Sequence, residues 1–285
     1  MKFQQGSDLD SFILQALRED VGDGDHTSDA CIPFVAMGEA KLIIKDNGIL
    51  AGVAVANEIF CRVDKSLTIR FNNKDGDRVK KGDIAFIVRG KARSILKAER
   101  LVLNIMQRMS GIATHTFLIT EQLKGLKTKL LDTRKTTPGF RAFEKKAVKI
   151  GGGINHRFGL FDMMMVKDNH VDFAGGIKDA ILAAQKHNLK KNLQLKIEVE
   201  ARNLAEVEQI ISVGGIHRIM LDNFSIADLK KAVKLINHQF ETEASGKITI
   251  KNIRSYAKCG VDYVSVGALT HSYKSLDMSL KAIRK

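Results

Sequence analysis

The second half of the chain repeats a single pattern, in which a short apolar run is followed by a longer amphipathic run. Six apolar runs occur at 129–131, 163–166, 195–199, 218–221, 241–244 and 263–266. Amphipathic runs with helical spacing lie between them at 175–188, 203–213, 225–237 and 249–259. This alternation predicts a parallel sheet, because parallel strands must be joined by crossover connections. Six units so close together along the chain favour a compact α/β barrel.

The first part of the chain lacks this alternation. Apolar residues spaced three and four apart predict an amphipathic helix near residues 9–17. Four short β-rich runs follow at 41–45, 49–53, 67–71 and 84–89. The helical spacing returns over 92–123, where Ser110 and Gly111 predict a break and Arg108 is expected to face solvent. These patterns predict a small sheet domain that precedes the barrel.

The composition is strongly basic, with 46 Lys and Arg against 32 Asp and Glu and a formal net charge of +14. Such an excess suits either a nucleic acid or a small polyanion as the ligand. The basic residues are spread along the whole chain, and three Tyr and no Trp leave few rings to stack on bases. We therefore expect a small polyanionic ligand and no nucleic acid.

The cysteines and the apolar runs indicate where the protein works. Cys31, Cys61 and Cys259 are odd in number and widely spaced, which predicts free thiols, a cytoplasmic location and no zinc site. No apolar run approaches the roughly 18 residues of a membrane span, and the polar first residues lack the pattern of a secretory signal. No contact with a membrane is expected.

Side chains that can carry a positive charge cluster in turns rich in glycine and short polar residues. They are Arg134, Lys135, His156, Arg157 and Lys167. Two unit charges about 6 Å apart repel by roughly 3 kcal/mol at an effective dielectric of about 20, so a converging cluster calls for an anion. The alternative is a solvated basic surface. The cations follow predicted strands rather than precede them, and strand ends meet at one mouth of a barrel, which favours a converging site.

Other polar groups follow the later strands. Glu200 and Asp222 suit the hydroxyls of a sugar or a Mg²⁺ ion that accompanies a diphosphate. Ser245, Gly246 and Gly267 stand where the late loops of a barrel bind a phosphate through backbone N–H groups. Anion-binding cations, a diol or metal site and a phosphate site together describe phosphoribosyl diphosphate.

At these residues the chain resembles the quinolinate phosphoribosyltransferase family. The likeness covers nearly the whole sequence, in the blocks 16–27, 98–104, 110–114, 133–170, 219–223 and 266–271. It implies an N-terminal α/β sandwich domain over 1–112, an incomplete α/β barrel over 113–271, and a C-terminal helix over 272–285 that packs back on the first domain. It also implies quinolinate and phosphoribosyl diphosphate as substrates, Mg²⁺ as the helper ion and no organic cofactor.

The resemblance also assigns roles to residues. It assigns catalysis to Lys135, Lys167, Glu200 and Asp222. The substrate-binding residues that it implies are Arg100, Arg134, Lys135, His156, Arg157, Lys167, Glu200, Asp222, Ser245, Gly246, Lys247, Val266, Gly267 and Ala268. A possible magnesium site lies at Glu200 and Asp222.

The resemblance further implies a homodimer or a hexamer of dimers, in which Arg100 is shared with the neighbouring subunit's site. Lys247 departs from the family, which usually has glycine there, and a side chain at this position restricts the backbone.

The resemblance implies the transfer of phosphoribose to quinolinate with decarboxylation. The products are nicotinate mononucleotide, diphosphate and CO₂, as in the de novo synthesis of NAD. An alternative within the enzyme class is a paralogous phosphoribosyltransferase that acts on another pyridine or pyrimidine acceptor. The alternative from another class is the basic nucleic-acid-binding protein.

Overall fold

The computed structural model describes residues 7–283, with the backbone alone for residues 7 and 8. The first half of the chain contains α1 (Ser7–Val21), α2 (His26–Cys31), β1 (Met37–Ile44), β2 (Gly48–Ile49), α3 (Val53–Val63), β3 (Thr68–Phe71), β4 (Arg78–Val79), β5 (Ile84–Lys91) and α4 (Ala92–Glu121). The second half contains β6 (Lys129–Leu131), α5 (Arg141–Ile150), β7 (Met164–Val166), α6 (Asp168–Ala174), α7 (Ile177–Lys190), β8 (Ile197–Ala201), α8 (Leu204–Val213), β9 (Arg218–Asp222), α9 (Ile226–Ile236), β10 (Glu241–Ser245), α10 (Ile253–Ala257), β11 (Tyr263–Ser265), α11 (Ala268–His271) and β12 (Met278–Ala282).

These elements form two compact units. The first unit takes Met1–His115, Ala142–Gly151 and Tyr273–Lys285, and the second takes Thr116–Arg141 and Gly152–Ser272. The main sheet of the first unit is antiparallel, with its strands in the order β12-β1-β5-β3. In the same unit, β2 pairs with β4. Strand β1 alternates buried and more accessible positions in its second half, as a sheet with one covered face requires.

Helix α3 of the first unit was not predicted, since the run 49–53 was expected to be a strand. Strand β2 ends at Ile49, and the helix starts at Val53. Val55, Ala56, Ile59 and Phe60 are buried, and their spacing of three and four is that of one helix face. Val53 ended the run that was predicted to be a strand, but burial of this helix face outweighs the weak preference of β-branched residues.

Helix α4 runs without interruption through Ser110 and Gly111, so the predicted break is wrong. A Cβ added at Gly111 would lie 2.9 Å from Cα of Ser275 and closer still to the carbonyl oxygen of Lys274. The glycine therefore allows close contact with another segment of the chain and does not end the helix. Across residues 7–283, no helix has a stretch long and apolar enough to cross a lipid bilayer.

Arg108 was expected to face solvent, and this is also wrong. Its Nε donates to Oε1 of Glu144 at 3.0 Å, and its guanidinium lies 5.2 Å from the centroid of the Tyr273 ring. Glu144 is fully buried on α5, next to Phe143, whose ring packs against Phe12. These contacts explain why α5 belongs to the first unit although it lies within the range predicted for the barrel.

The C-terminal segment is a strand, where a helix was expected over 272–285. Strand β12 pairs antiparallel with β1, with Leu280 opposite Leu42. Met278 and Leu280 are buried while Ser279 and Lys281 are more accessible, which is the period of two that a strand requires. Residues 284 and 285 of the predicted helix lie outside the described residues.

The second unit contains six parallel strands in the order β6-β11-β10-β9-β8-β7. Strands β7 to β11 lie side by side in the order in which they occur along the chain. The first strand, β6, pairs with the last, β11, so the sheet curls on itself. Among the described residues the sheet stays open between β6 and β7, where Ile154 forms an isolated bridge with Leu131. The predicted incomplete α/β barrel is confirmed.

Candidate active site

A cavity of about 790 Å³ lies at the carboxyl ends of the parallel strands. Its lining includes twelve of the predicted site residues, namely Arg134, Lys135, His156, Arg157, Lys167, Glu200, Asp222, Ser245, Gly246, Lys247, Gly267 and Ala268. Val266 follows β11 and is buried outside this lining. Arg100 is exposed on α4 in the first unit. The cavity thus brings together the groups that the sequence placed after separate strands.

The loop after β6 carries Arg134 and Lys135, both exposed toward the cavity. The hydroxyl of Thr270 donates to the carbonyl oxygen of Lys135 at 2.8 Å, and the Lys135 N–H donates to Oγ1 of Thr133 at 3.0 Å. A Cβ added at Gly267 would lie 3.0 Å from Cδ of Lys135. The glycine therefore leaves room for the lysine stem beside the α11 turn.

The turn at residues 155–157 is held by a buried carboxylate. Asp132 accepts the backbone N–H of His156 at 2.8 Å and the Asn155 amide at 2.6 Å. Arg157 is buried, and its Nη1 donates to the carbonyl oxygen of Met163 at 3.1 Å. Burial and the positive charge of Arg134 lower the pKa of Arg157. The two arginines therefore repel each other, and an anionic ligand bound to both would relieve this repulsion.

Two carboxylates and a lysine, Glu200, Asp222 and Lys167, also line the cavity. Burial and the charge of Asp222 raise the pKa of Glu200, so the two acids interact unfavourably when both are ionised. Nζ of Lys167 lies 4.0 Å from Oε2 of Glu200 and offsets part of this repulsion. The pair can hold a divalent cation or accept hydrogen bonds from a diol.

The turn after β10 has an unusual backbone. Gly246 has φ +96°, and a Cβ there would lie 2.9 Å from the backbone nitrogen of Asn223, which donates to Ser245. Lys247 has φ +49°, so the residue that replaces the expected glycine still adopts the left-handed conformation. Its side chain is exposed at the cavity. The backbone of the turn thus has the left-handed conformation that glycine favours, and the Lys247 side chain adds an ammonium group to the cavity.

A cluster of buried charges lies at the floor of the cavity, where the predicted residue His156 meets Glu198, Arg218 and Glu243, which the sequence analysis did not assign to the site. Oε2 of Glu243 lies 3.1 Å from Nη1 of Arg218, and Oε2 of Glu198 lies 3.9 Å from the same nitrogen. Nε2 of His156 lies 2.9 Å from Glu198 and 3.3 Å from Glu243. The side chains of Glu198 and Glu243 are 0% exposed. A signal was present, because β8 and β10 carry glutamates at every second position and β9 begins with Arg218.

The pKa values of the two buried acids, Glu198 and Glu243, shift in opposite directions. Burial and the charge of Glu243 raise the pKa of Glu198 to about 7. Burial also acts to raise the pKa of Glu243, but the hydrogen bonds of His156 and Ser265 outweigh it and lower that pKa. The ligand atoms of His156, Glu198 and Glu243 all lie within 4.8 Å of one another. Arg218 already supplies positive charge to both carboxylates, so this group needs no metal ion.

The fold and the cavity together define the class of α/β-barrel proteins with a cavity at the strand ends, and the cations of this cavity suit a small polyanion. Comparison with known families identifies it further. Residues 25–110 match the model of the quinolinate phosphoribosyl transferase N-terminal domain, and residues 112–281 match that of the C-terminal domain. The chain therefore belongs to the quinolinate phosphoribosyltransferase family.

Individual relatives agree over nearly the whole chain. It is 47% identical to quinolinate phosphoribosyltransferase [decarboxylating] 1 of Nicotiana glauca, over 96% of this chain and 82% of that protein. It is 41% identical to a probable nicotinate-nucleotide pyrophosphorylase [carboxylating] of Bacillus subtilis, over 95% and 91%. The crystal structure of NadC from Streptococcus pyogenes is 38% identical and superposes with a TM-score of 0.92, over the full length of both chains.

Proposed function

We propose that this chain transfers the phosphoribosyl group of phosphoribosyl diphosphate to quinolinate. The transfer and the decarboxylation that follows yield nicotinate mononucleotide, diphosphate and CO₂, a step of de novo NAD synthesis. The observation that carries this proposal is the single cavity that combines Arg134, Lys135, Arg157 and Lys167 with the acid pair Glu200 and Asp222. Its relatives include proteins named as quinolinate phosphoribosyltransferases and nicotinate-nucleotide pyrophosphorylases.

The cations suit two anionic reactants in one cavity. Arginine binds a carboxylate or phosphate through two parallel hydrogen bonds, and each charge-assisted contact contributes roughly 1.5–3 kcal/mol. We infer that Arg134 and Arg157 bind the carboxylates of quinolinate and that Lys135 and Lys167 bind the diphosphate. We assign Lys135 and Lys167 to catalysis because their positive charges can stabilise the negative charge that develops on the leaving diphosphate. We assign Glu200 and Asp222 to catalysis because they can hold the Mg²⁺ ion that would neutralise it.

The reaction balances with no nucleophile from the protein. The pyridine nitrogen attacks the anomeric carbon as the bond from that carbon to the diphosphate oxygen breaks and the electron pair leaves with diphosphate. The ring becomes a pyridinium. The bond to the 2-carboxyl group then breaks, CO₂ departs, and the pyridinium stabilises the electron pair until the ring carbon takes a proton from solvent. The residues of the cavity hold the two anions together in line, which supplies much of the rate.

Glu200 and Asp222 fit a magnesium ion. Two adjacent carboxylates, one with a pKa raised by burial and by the other's charge, are the donors that a divalent cation neutralises. When bound with the diphosphate, the ion would neutralise negative charge on the leaving group. We expect activity to disappear with EDTA and to return with excess Mg²⁺. Full activity after exhaustive chelation would count against this part of the proposal.

We infer that the remaining site residues bind the 5′-phosphate. Ser245, Gly246 and Lys247 offer a hydroxyl, backbone N–H groups and an ammonium, while Gly267 and Ala268 offer N–H groups at the start of α11. Val266 supports this turn from its buried position. His156 also lines the cavity and is part of the same site.

The direct test is the release of CO₂ from carboxyl-labelled quinolinate in the presence of phosphoribosyl diphosphate. Release that depends on both substrates supports the proposal. No release, with turnover of another pyridine or pyrimidine acceptor, would favour the paralogous activity. Tight, strongly salt-dependent binding of labelled RNA without any transfer would favour the nucleic-acid-binding alternative.

Substitution of Lys135 tests the site itself. Lys135→Ala should lower kcat/KM at least about 10-fold, which corresponds to the loss of about 1.5 kcal/mol from one charge-assisted contact. Lys129→Ala is the matched control. Lys129 is an exposed lysine at the start of β6, whereas Lys135 lies in the loop that follows the end of this strand. Equal activity of the two variants would remove Lys135 from the site.

We propose that the protein works as a homodimer, or as a hexamer of dimers, in which Arg100 reaches the neighbouring subunit's site. Its exposure on α4 and the resemblance of the block 98–104 to the family support this. Mixing inactive Arg100→Ala subunits with inactive Lys167→Ala subunits should restore part of the activity. The absence of recovery after verified subunit exchange would contradict the sharing.

We also propose a cytoplasmic location, which the three free cysteines support. Relatives from plants carry the names chloroplastic and mitochondrial, so the compartment differs within the family. Fractionation of the source cells with an antibody against this chain tests the location, and recovery in an organelle would overturn it.

A further inference from the structure

Both ring nitrogens of His156 lie close to polar groups inside the protein. Nε2 faces Oε2 of Glu198 at 2.9 Å and Oε2 of Glu243 at 3.3 Å. On the other side of the ring, Nδ1 accepts the backbone N–H of Arg157 with a distance of 2.6 Å between the nitrogens. The side chain is 4% exposed. The imidazole therefore bridges the buried acids and the residue that follows it.

These contacts determine which nitrogen carries the proton. Burial lowers the pKa of His156, but the hydrogen bonds and charges of Glu198 and Glu243 outweigh burial and act to raise it to about 9. Protonation of Nδ1 would consume the lone pair that accepts the Arg157 N–H and would set two N–H groups against each other. While that hydrogen bond persists, the ring is neutral and carries its proton on Nε2, the nitrogen that lies near the two carboxylates.

The acids that face the ring are held from below. Arg218 contacts both Glu198 and Glu243, and its Nη2 donates to Oε2 of Glu241 at 3.0 Å. The hydroxyl of Tyr263 donates to Oε1 of the same Glu241 at 3.0 Å, and the Arg218 guanidinium lies 4.1 Å from the centroid of the Tyr263 ring. Apart from His156, the charged groups around these carboxylates thus lie on strands β8 to β11 and not on the loop that carries Arg157.

We propose that His156 is a positioning residue, which links Glu198 and Glu243 to the backbone of Arg157 and so aims the Arg157 guanidinium into the cavity. In this role the ring donates no hydrogen bond to the substrate and contributes no positive charge to the site. The identity of the ligand that Arg157 binds rests on the proposed function. The bridge itself does not, since it is a property of the protein without ligand.

Nitrogen NMR of protein labelled with ¹⁵N-histidine tests the state of the ring. The chain has eight histidines, and the His156 signals are assigned by their loss in His156→Gln. We expect one protonated and one unprotonated ring nitrogen at pH 7, with the proton on Nε2, before and after addition of quinolinate. Two protonated nitrogens in either state would overturn the proposal.

Kinetics test whether the ring acts through Arg157. His156→Ala should raise KM for quinolinate about 10-fold or more. His156→Asn should recover part of this loss, because its Oδ1 takes the place of Nδ1 as acceptor for the Arg157 N–H while the contact of Nε2 with the carboxylates is lost. Equal losses in the two variants would indicate direct contact between His156 and the substrate and would overturn the proposal.

A double-mutant cycle gives a second measure. If His156 acts only through Arg157, then His156→Ala has little further effect, less than about 2-fold, in an Arg157→Ala background. Independent, multiplicative losses would overturn the proposal. If the wild-type protein fails to consume quinolinate, the proposed function fails, while the NMR experiment still decides the role of His156.

Discussion

Gly246 is the position where the left-handed backbone of the phosphate turn can be tested most sharply. Its φ is +96°, and a Cβ would lie 2.9 Å from the backbone nitrogen of Asn223 and closer still to Oδ1 of that residue. The Asn223 side chain can rotate away, but its backbone nitrogen donates to Ser245 and is held in place. Gly246→Ala must therefore move the turn itself.

Two costs contribute to the effect of Gly246→Ala. A side chain in the left-handed region costs about 1–2 kcal/mol. Forcing a methyl group into a packed site adds about 1–3 kcal/mol. Substitution of Gly76 separates the backbone cost from the packing cost. Gly76 has the same φ of +96°, and a Cβ there meets nothing within 4 Å. Gly76→Ala should show the first cost alone, so the variants should differ by about 1–3 kcal/mol.

Initial rates at varied phosphoribosyl diphosphate measure the consequence for the site. A displaced turn should raise KM for this substrate about 10-fold, since about 1.4 kcal/mol corresponds to a factor of ten. Gly76→Ala should leave KM unchanged, and urea unfolding of both variants reports the cost in stability. The reasoning is refuted if Gly246→Ala matches Gly76→Ala in both KM and stability.

Three further perturbations have a defined sign. Lys247→Gly removes a side chain at φ +49° and should stabilise the protein by up to about 1 kcal/mol in thermal unfolding, while loss of the ammonium raises KM for phosphoribosyl diphosphate several-fold. Gly111→Ala should destabilise by about 1–3 kcal/mol through contact with Lys274; the gain normal for a helix interior would contradict this packing. The pKa of Glu198 is raised on folding, so its contribution to stability is complete below about pH 4.5 and is lost as the pH rises through about 7. Glu198→Gln should therefore show a flatter stability between these pH values in urea titrations.

The amino-acid sequence by itself determined the architecture of the catalytic unit. Alternating apolar and amphipathic runs specify strands and helices through local periodicity, and the connections then require the strands to be parallel. All carboxyl ends of such strands meet at one mouth, so Lys135, Lys167 and Asp222 could be assigned to one site from their order along the chain alone.

Only the tertiary structure decided the features that depend on residues far apart in the sequence. Strand β12 forms because Leu280 finds Leu42 across the sheet, and Gly111 is needed because Lys274 and Ser275 come close to it. Local patterns contain no information about such partners.

The same holds for the cluster beneath the cavity. Which face of β8 and β10 points into the barrel follows from register and from curvature of the whole sheet, and a shift of one residue would reverse it. Glu198 and Glu243 could therefore be recognised as partners of His156 only once the strands were paired.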